Sequence, residues 1–450
     1  MLTNTAVEKK SYALPLLIIG TLFFIFGFVT WSNSTLIPYL SIACQLTPEE
    51  AVLVTFAFYI SYAVMAFPSS WVLKLTGFKY GMMVGLIIMA IGALLFIPAA
   101  NTRSFGFFLF ALFVIGTGLA LLQTASNPYI TILGPIESAA KRISIMGICN
   151  KTAGALAPLI LGAIVLKDAD AFKAKLLAMD ATQKAAELNV LASRVIMPYV
   201  VIAAVLILLS FFIYFSHLPE VKAEGEDDTE TKNVQANKSI FSYTYLWLGF
   251  IALFLYVGVE VMAGDIIQLY GNSIGISLDV AKHFTTYTMI SMLVGYVLGI
   301  IAIPKFISQA TALKLSAILG VLFTIGAIFT NGYTSVLFIA LLGLANALVW
   351  PAIWPLAIDG LGKHTKTGSA LLIIGIAGGA ILPRIWASVA KILKMKHEKE
   401  FIVQYGDKMG KQLAEIFGLQ NAFWIMVPCY LFILYFAISG HKAGKTVKHS

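Results

Sequence analysis

The chain has 450 residues, of which 59% are hydrophobic and only 12% charged. That composition excludes a water-soluble globular protein, which would lack the polar side chains to cover its surface, and marks an integral membrane protein. The formal net charge of +9 falls mostly between apolar runs, where it forms a basic rim at a membrane face, so no nucleic-acid partner is expected.

Apolar runs able to cross about 30 Å of hydrocarbon recur from Tyr12 to Ser439 and are too long and unbroken for the strands of an outer-membrane barrel. The first is centred near Phe24 and follows MLTNTAVEKKSY. Two lysines precede it without a small-residue cleavage site, so this span is predicted to be retained. Further centres lie near Val64, Met89, Ile115, Leu156, Ala203, Phe254, Leu293, Leu319, Leu344, Gly375 and Leu431, giving twelve candidate helices. The expected class is an all-α membrane protein. With an even number of spans, Lys74 and Lys79, Lys141 and Arg142, Lys363 and Lys366, and Lys442, Lys445 and Lys448 share a side with Lys9 and Lys10. The positive-inside rule makes that side cytoplasmic. Both termini are then cytoplasmic, and a bacterial inner membrane is the expected location of this multi-pass plasma-membrane protein. The loop from Lys391 to Lys411 is lysine-rich yet placed outside, with acids interrupting it.

In the first half, residues 167–194, KDADAFKAKLLAMDATQKAAELNVLASR, are polar with helical periodicity. They predict an amphipathic helix or hairpin on the outer surface. The longest polar run, HLPEVKAEGEDDTETKNVQANKSIF at 217–241, reads as a flexible cytoplasmic linker. It separates a six-helix bundle over 1–216 from a second over 242–450, which includes the tail. The halves echo each other. GALAP, Gly154 to Pro158, matches GAILP, Gly379 to Pro383, in the fifth span of each half, and upstream Asn127 and Pro128 correspond to Trp354 and Pro355 in the fourth. Internal repeats of this kind point to a transporter with its site near the midplane between them.

SIMGICNKTAGALAPLILGAIVL, residues 144–166, would read as an ordinary span but for Lys151, about nine residues and roughly 13 Å from its cytoplasmic end. A charge at that depth needs water or a partner and marks a pathway or binding site. The other charges within spans are Glu260 and Asp265 in span seven and Arg384 in span eleven. Two bases and two acids sum to zero, as compensation in a low-dielectric interior requires. Arg384 and Asp265 are expected nearer the outer interface. Glu260 is the deeper acid and starts a stripe with Gly264 and Gln268 that suits a cavity wall. Lys151 and Glu260 are therefore the favoured pair, either coupling transport or fixing helix packing, and Asp265 is the next partner. In span ten, Trp350 and Trp354 stack on one face, and Pro351 and Pro355 loosen the helix beside them. These indoles are either a platform for the apolar face of a sugar or part of an interfacial belt. The amides of Asn33, Gln123, Asn127 and Asn150 offer paired donors and acceptors to hydroxyls, or else bond neighbouring helices. Cys44, Cys149 and Cys429 read as packing residues. The histidines lie in loops or at span ends, so no metal and no resident cofactor are expected. HExxH and GxSxG do not occur, and no enzyme is expected.

FFIFGFVTWSNSTLIPYL, LLQTASNPYITILGP, NKTAGALAP and YVGVEVMAGD resemble the fucose permease and glucose/galactose transporter family of the major facilitator superfamily, over nearly the whole chain. The resemblance implies that superfamily's fold of twelve helices in two six-helix bundles, alternating access, and cation-coupled uptake of a hexose or related monosaccharide such as glucose, galactose, fucose or N-acetylglucosamine. A lipid or amphipathic-solute transporter, or a sugar uniporter without ion coupling, is the alternative on the same fold. Where the family's pattern carries two coupling acids, this chain has Ser34 and Gln123, which do not titrate in the physiological range. The co-transported ion is then either sodium, held by oxygens of Asn33, Ser34, Thr35 and the span-seven acids, or a proton on Glu260. Sodium is favoured, because hard cations prefer oxygen ligands. A monomer in contact with membrane lipid, with a small sugar as substrate, is expected.

Overall fold

The computed structural model describes residues 13–132, 139–216, 239–303, 305–361 and 364–444. Lys9, Lys10, Lys363, Lys445, Lys448 and residues 217–238 of the expected linker lie outside the described residues. Every regular element among the described residues is a helix, and eleven helical runs are long and apolar enough to cross a membrane. One of them, Pro48–Thr102, has 55 residues, which as a straight helix would extend about 80 Å, far beyond a bilayer. It breaks at Gly77, where φ is +72° and ψ 179°, a conformation that only a residue without a Cβ adopts freely. Counted as two, this run brings the spans to the twelve expected.

In chain order the spans are Pro15–Ala43, the two parts of Pro48–Thr102, Phe105–Ile132, Ala139–Val165, Ile196–Phe215, Thr244–Gly264, Phe284–Ala302, Gln309–Phe329, Gly332–Ile358, Thr367–Tyr405 and Met426–Ile438. Successive spans alternate in direction. Ser216 and Ser239 therefore share one end of the molecule, here the linker face. The opposite end, the hairpin face, carries the helices Ala169–Leu177 and Ala181–Ser193, which fulfil the amphipathic hairpin expected over 167–194. Asp180 starts the second of them by accepting the Gln183 backbone N–H at 2.8 Å, a cap that contributes about 1 kcal/mol. Leu176, Leu188 and Leu191 turn inward. The Tyr39 hydroxyl of span one pins the hairpin through the Leu191 and Ala192 carbonyls at 2.9 and 2.8 Å.

Two expectations are corrected. The stretch from Lys391 to Lys411 is not a loop: span eleven continues as helix to Tyr405, turns at Gly406 with φ +81°, and returns along Asp407–Asn421. Its lysines and acids solvate a projecting helix pair, with Lys394 and Glu415 3.0 Å apart across it. The stripe from Glu260 through Gly264 to Gln268 is not continuous either, because the first helix of span seven ends at Gly264 and a second, Ile267–Ser273, begins beyond. Gln268 is fully buried. Carbonyls at the break find donors in span eight, where the Thr285 hydroxyl meets Gly264 O at 2.6 Å and the Thr288 hydroxyl meets Ala263 O at 2.9 Å. Such side-chain donors let a helix break at membrane depth.

The helices before residue 216 meet those after residue 239 along two seams. In one, spans five and eight approach where Gly147 leaves room for Tyr296 and Gly154 for Met289. In the other, Gly379 of span eleven lies against the ring of Tyr59 in span two. Small residues at such seams let helices pack closely without a solvent-driven term.

Candidate coupling and substrate site

The apolar part of span five begins at Arg142, so Lys151 lies about nine residues and roughly 13 Å along it, as expected. Its Nζ is 2.7 Å from Glu260 Oε1, with 9% and 11% of the two side chains exposed. The pair that the sequence favoured is thus made, and it joins the two halves. On its other side the ammonium sits 4.4 Å from the ring centroid of Trp31, a cation–π contact that contributes about 0.5–2 kcal/mol. Trp31 ends the first helix of span one. Its indole fits because Gly154 and Gly264, on either side, have no Cβ to collide with it. Removing one partner of such a pair leaves a buried charge, at about 3–5 kcal/mol.

Asp265 follows Gly264 at the hairpin-side end of the first helix of span seven. It is fully buried, its Oδ2 accepts a hydrogen bond from the Tyr59 hydroxyl at 3.3 Å, and its Oδ1 has no partner. Arg384 does not compensate it, because its guanidinium instead donates to the Glu49 carbonyl at 2.8 Å. The anticipated balance of two bases and two acids resolves into one ion pair and one carboxyl with no cation in ion-pair contact.

Around these groups the halves are tied at the hairpin face. Gln268 donates to Ser34 at 3.2 Å and to Thr285 at 3.0 Å. Lys173 of the hairpin donates to Asn272 at 2.8 Å. Asp170 accepts the Leu278 and Asp279 N–H groups at 3.1 and 2.9 Å, satisfying the first turn of the short helix Leu278–Ala281. Lys391 meets Glu49 at 2.8 Å. This face is closed.

Toward the linker face the polar groups are arranged differently. Trp350 and Trp354 stack with ring centroids 5.4 Å apart and planes at 23°, as their spacing requires. Both are half-buried. Trp350 also reaches Tyr256 of span seven at 6.5 Å, one turn before Glu260, so an aromatic row runs to the ion pair. Gln123 donates to the Tyr62 hydroxyl at 3.0 Å. Asn127 follows one turn on, and both are half-buried. The other two amides behave otherwise. Asn150 donates to Phe23 O at 3.3 Å, tying span five to span one. Asn33 is 1% exposed with its Nδ2 unpartnered, so it presents nothing to a solute in this conformation.

The sequence matches the family model described as the Major Facilitator Superfamily over residues 19–383. This chain belongs to the Major Facilitator Superfamily. It is 32% identical over 439 residues to a glucose/galactose transporter of Brucella abortus, covering 97% of this chain and 96% of that one. It is 28% identical over 389 residues to an L-fucose-proton symporter of Escherichia coli, covering 86% and 89%. Among solved structures, the superfamily transporter FucP in its outward conformation matches with a TM-score of 0.70 at 25% identity, over 95% of this chain and 98% of that one. The resemblance read from the motifs is borne out, as is the all-helical fold, and the superfamily is one of transporters rather than enzymes.

Within this superfamily chain, Ser34 holds the position of one expected coupling acid. Its hydroxyl donates its one proton to Trp31 O at 2.7 Å and accepts from Gln268, so it is engaged in the closed face. Of the oxygens proposed for sodium, that of Thr35 is buried and unpartnered, and Glu260 is engaged by Lys151. Among the described residues no group of three or more His, Cys, Asp or Glu side chains could hold a metal ion. The sequence reading missed Trp31, Tyr59 and Tyr62. A usable signal was present, since Trp31 directly precedes the polar run Ser32 to Thr35 and the two tyrosines sit three apart in an apolar span, where a hydroxyl requires a partner.

Proposed function

We propose that this multi-pass membrane protein takes up a hexose or related monosaccharide in symport with a proton by alternating access, and that the structure represents the state closed at the hairpin face. The observation that carries the reading is the stacked, half-buried pair Trp350 and Trp354 in line with Tyr256 and Glu260. An indole stack covers the apolar C–H face of a pyranose, while amides such as Gln123 and Asn127 meet its hydroxyl rim. The names of the relatives, a glucose/galactose transporter and an L-fucose-proton symporter, support a sugar and favour a proton over the sodium ion that the sequence suggested.

In this reading residues 1–216 and 242–450 are two six-helix bundles joined by the linker 217–241. The linker face is cytoplasmic, since Lys74, Lys79 and Lys442 lie there. Lys151 and Glu260 form a latch between the bundles, made in this state and released in the other. Asn33 and Asn150 then serve packing in this state and become available to the sugar when the hairpin face opens. The test is uptake of labelled glucose, galactose, fucose and N-acetylglucosamine into vesicles under separately imposed proton and sodium gradients. Uphill accumulation of one of them with the proton gradient alone is expected. Accumulation that follows sodium, or of none of the sugars, contradicts the reading.

A further inference from the structure

With Ser34 and Gln123 unable to carry a proton, symport needs a carrier elsewhere, and this inference rests on the proton-coupled reading above. We propose that Asp265 is the proton-carrying group of the transport cycle, loaded when the hairpin face is open and held in its neutral form by burial against Tyr59 when that face closes.

The argument is geometric. Asp265 sits at the break between the two helices of span seven and is fully buried. One carboxyl oxygen meets a single neutral hydroxyl, that of Tyr59, and the other meets nothing. The charged and titratable groups acting on it are Tyr59 from span two, Glu260 from its own span and Lys151 from span five. Lys151 is committed to Glu260 at 2.7 Å, and Arg384 to the Glu49 carbonyl. An ionised carboxylate in that setting would be desolvated with neither a cation in contact nor enough donors, whereas a neutral carboxyl is tolerated. The hydroxyl–carboxyl contact accommodates the neutral form, because Tyr59 either donates to the carboxyl or accepts its proton.

The contact also spans the two halves, Tyr59 belonging to the first and Asp265 to the second. Opening the hairpin face separates them and admits water to the carboxylate. A hydronium ion from that solvent then transfers its proton to a carboxylate oxygen, forming the O–H bond and leaving water. Only the neutral carboxyl re-enters the dry seam, so closure selects the loaded carrier. On the opposite side, opening of the linker-side path readmits water to Asp265, and the O–H bond breaks toward a water molecule, which leaves as hydronium and restores the carboxylate. Glu260 stays paired with Lys151, and the gate-locked carrier is Asp265.

The experiment uses the full chain in proteoliposomes with labelled glucose, galactose and fucose, together with infrared spectra of the purified protein in mildly alkaline buffer, where exposed carboxyls are ionised. Asp265→Asn is expected to lower accumulation driven by a pH gradient by at least about tenfold, while Asp265→Glu, which restores a titratable group, recovers part of it. The C=O band of a protonated carboxyl should be present in the wild type and in Glu260→Gln, shifted in Tyr59→Phe, and missing in Asp265→Asn. If the wild type responds to the pH gradient and Asp265→Asn accumulates sugar equally well, this inference is overturned while proton coupling stands. If the wild type ignores the gradient, the coupling reading falls first, and absence of the band from the wild type overturns the assignment as well. Should Asp265→Asn not fold, the spectra of Glu260→Gln and Tyr59→Phe decide: no band in the first, or no shift in the second, sinks it.

Discussion

The hairpin-face seam and the linker-side wall contain similar residue types and use them in opposite ways. At the seam, Lys151, Glu260, Gln268, Ser34, Tyr59 and Asp265 are nearly or fully buried, and bonds between them cross from one half to the other. At the wall, Gln123, Trp350 and Trp354 are half-buried, and the contacts of Gln123 with Tyr62 and of Trp350 with Trp354 and Tyr256 stay within one half. Groups that satisfy each other across an interface hold a conformation. Groups that keep solvent contact retain bonding capacity for a solute. The comparison teaches that polarity at membrane depth is not by itself a binding site; what matters is whether its partners belong to the protein.

Breaking the ion pair gives the largest expected effect. Lys151→Met strands the Glu260 carboxylate and should lower stability by about 3–5 kcal/mol, while Lys151→Met with Glu260→Gln recovers most of that loss. A double-mutant cycle on thermal unfolding measures the coupling, and strictly additive losses would mean that the contact contributes nothing. Next in size, Gly264→Ala drives a methyl group into the Trp31 ring and should destabilise by about 1–3 kcal/mol through overpacking, checked by the same melt. Trp350→Ala sharpens the comparison from the other side. It should weaken sugar binding by about 1–3 kcal/mol in equilibrium titration through loss of a large aromatic contact, and unchanged affinity in folded protein removes Trp350 from the site. The smallest effect is expected for Gln268→Leu, which deletes the hydrogen bonds to Ser34 and Thr285 but keeps an apolar side chain of similar size, and should lower stability by about 1 kcal/mol with sugar affinity retained. A drop in affinity as large as that of Trp350→Ala would erase the distinction between seam and wall.

The twelve spans were legible because each is a long apolar run, and the pairing of Lys151 with Glu260 followed from charge compensation alone. The stacked tryptophans followed from a four-residue spacing. What the sequence concealed lay where a helix stops. Periodicity carries Glu260, Gly264 and Gln268 along one face only if the helix is continuous, and the break after Gly264 turns Gln268 into the seam. The projecting pair of helices around Gly406 looked like a loop because its lysines and acids are as compatible with a solvated helix as with a coil. Trp31 was hidden because its partners, Gly154 and Gly264, are distant in the chain and contribute only by lacking a side chain.

The division between seam and wall is tested most directly by a distance across the hairpin face. Leu177 and Val403 project there from opposite halves, 89% and 88% exposed, and neither takes part in the contacts of the seam. Spin labels at Leu177→Cys and Val403→Cys, with Cys44, Cys149 and Cys429 replaced, report the closed separation in double electron–electron resonance. Adding Lys151→Met should move a substantial part of the population to a longer distance, and adding Trp350→Ala should leave the distribution in place. A distribution that ignores Lys151→Met, or that shifts equally with Trp350→Ala, would contradict the assignment of these residues to a gate and a solute wall.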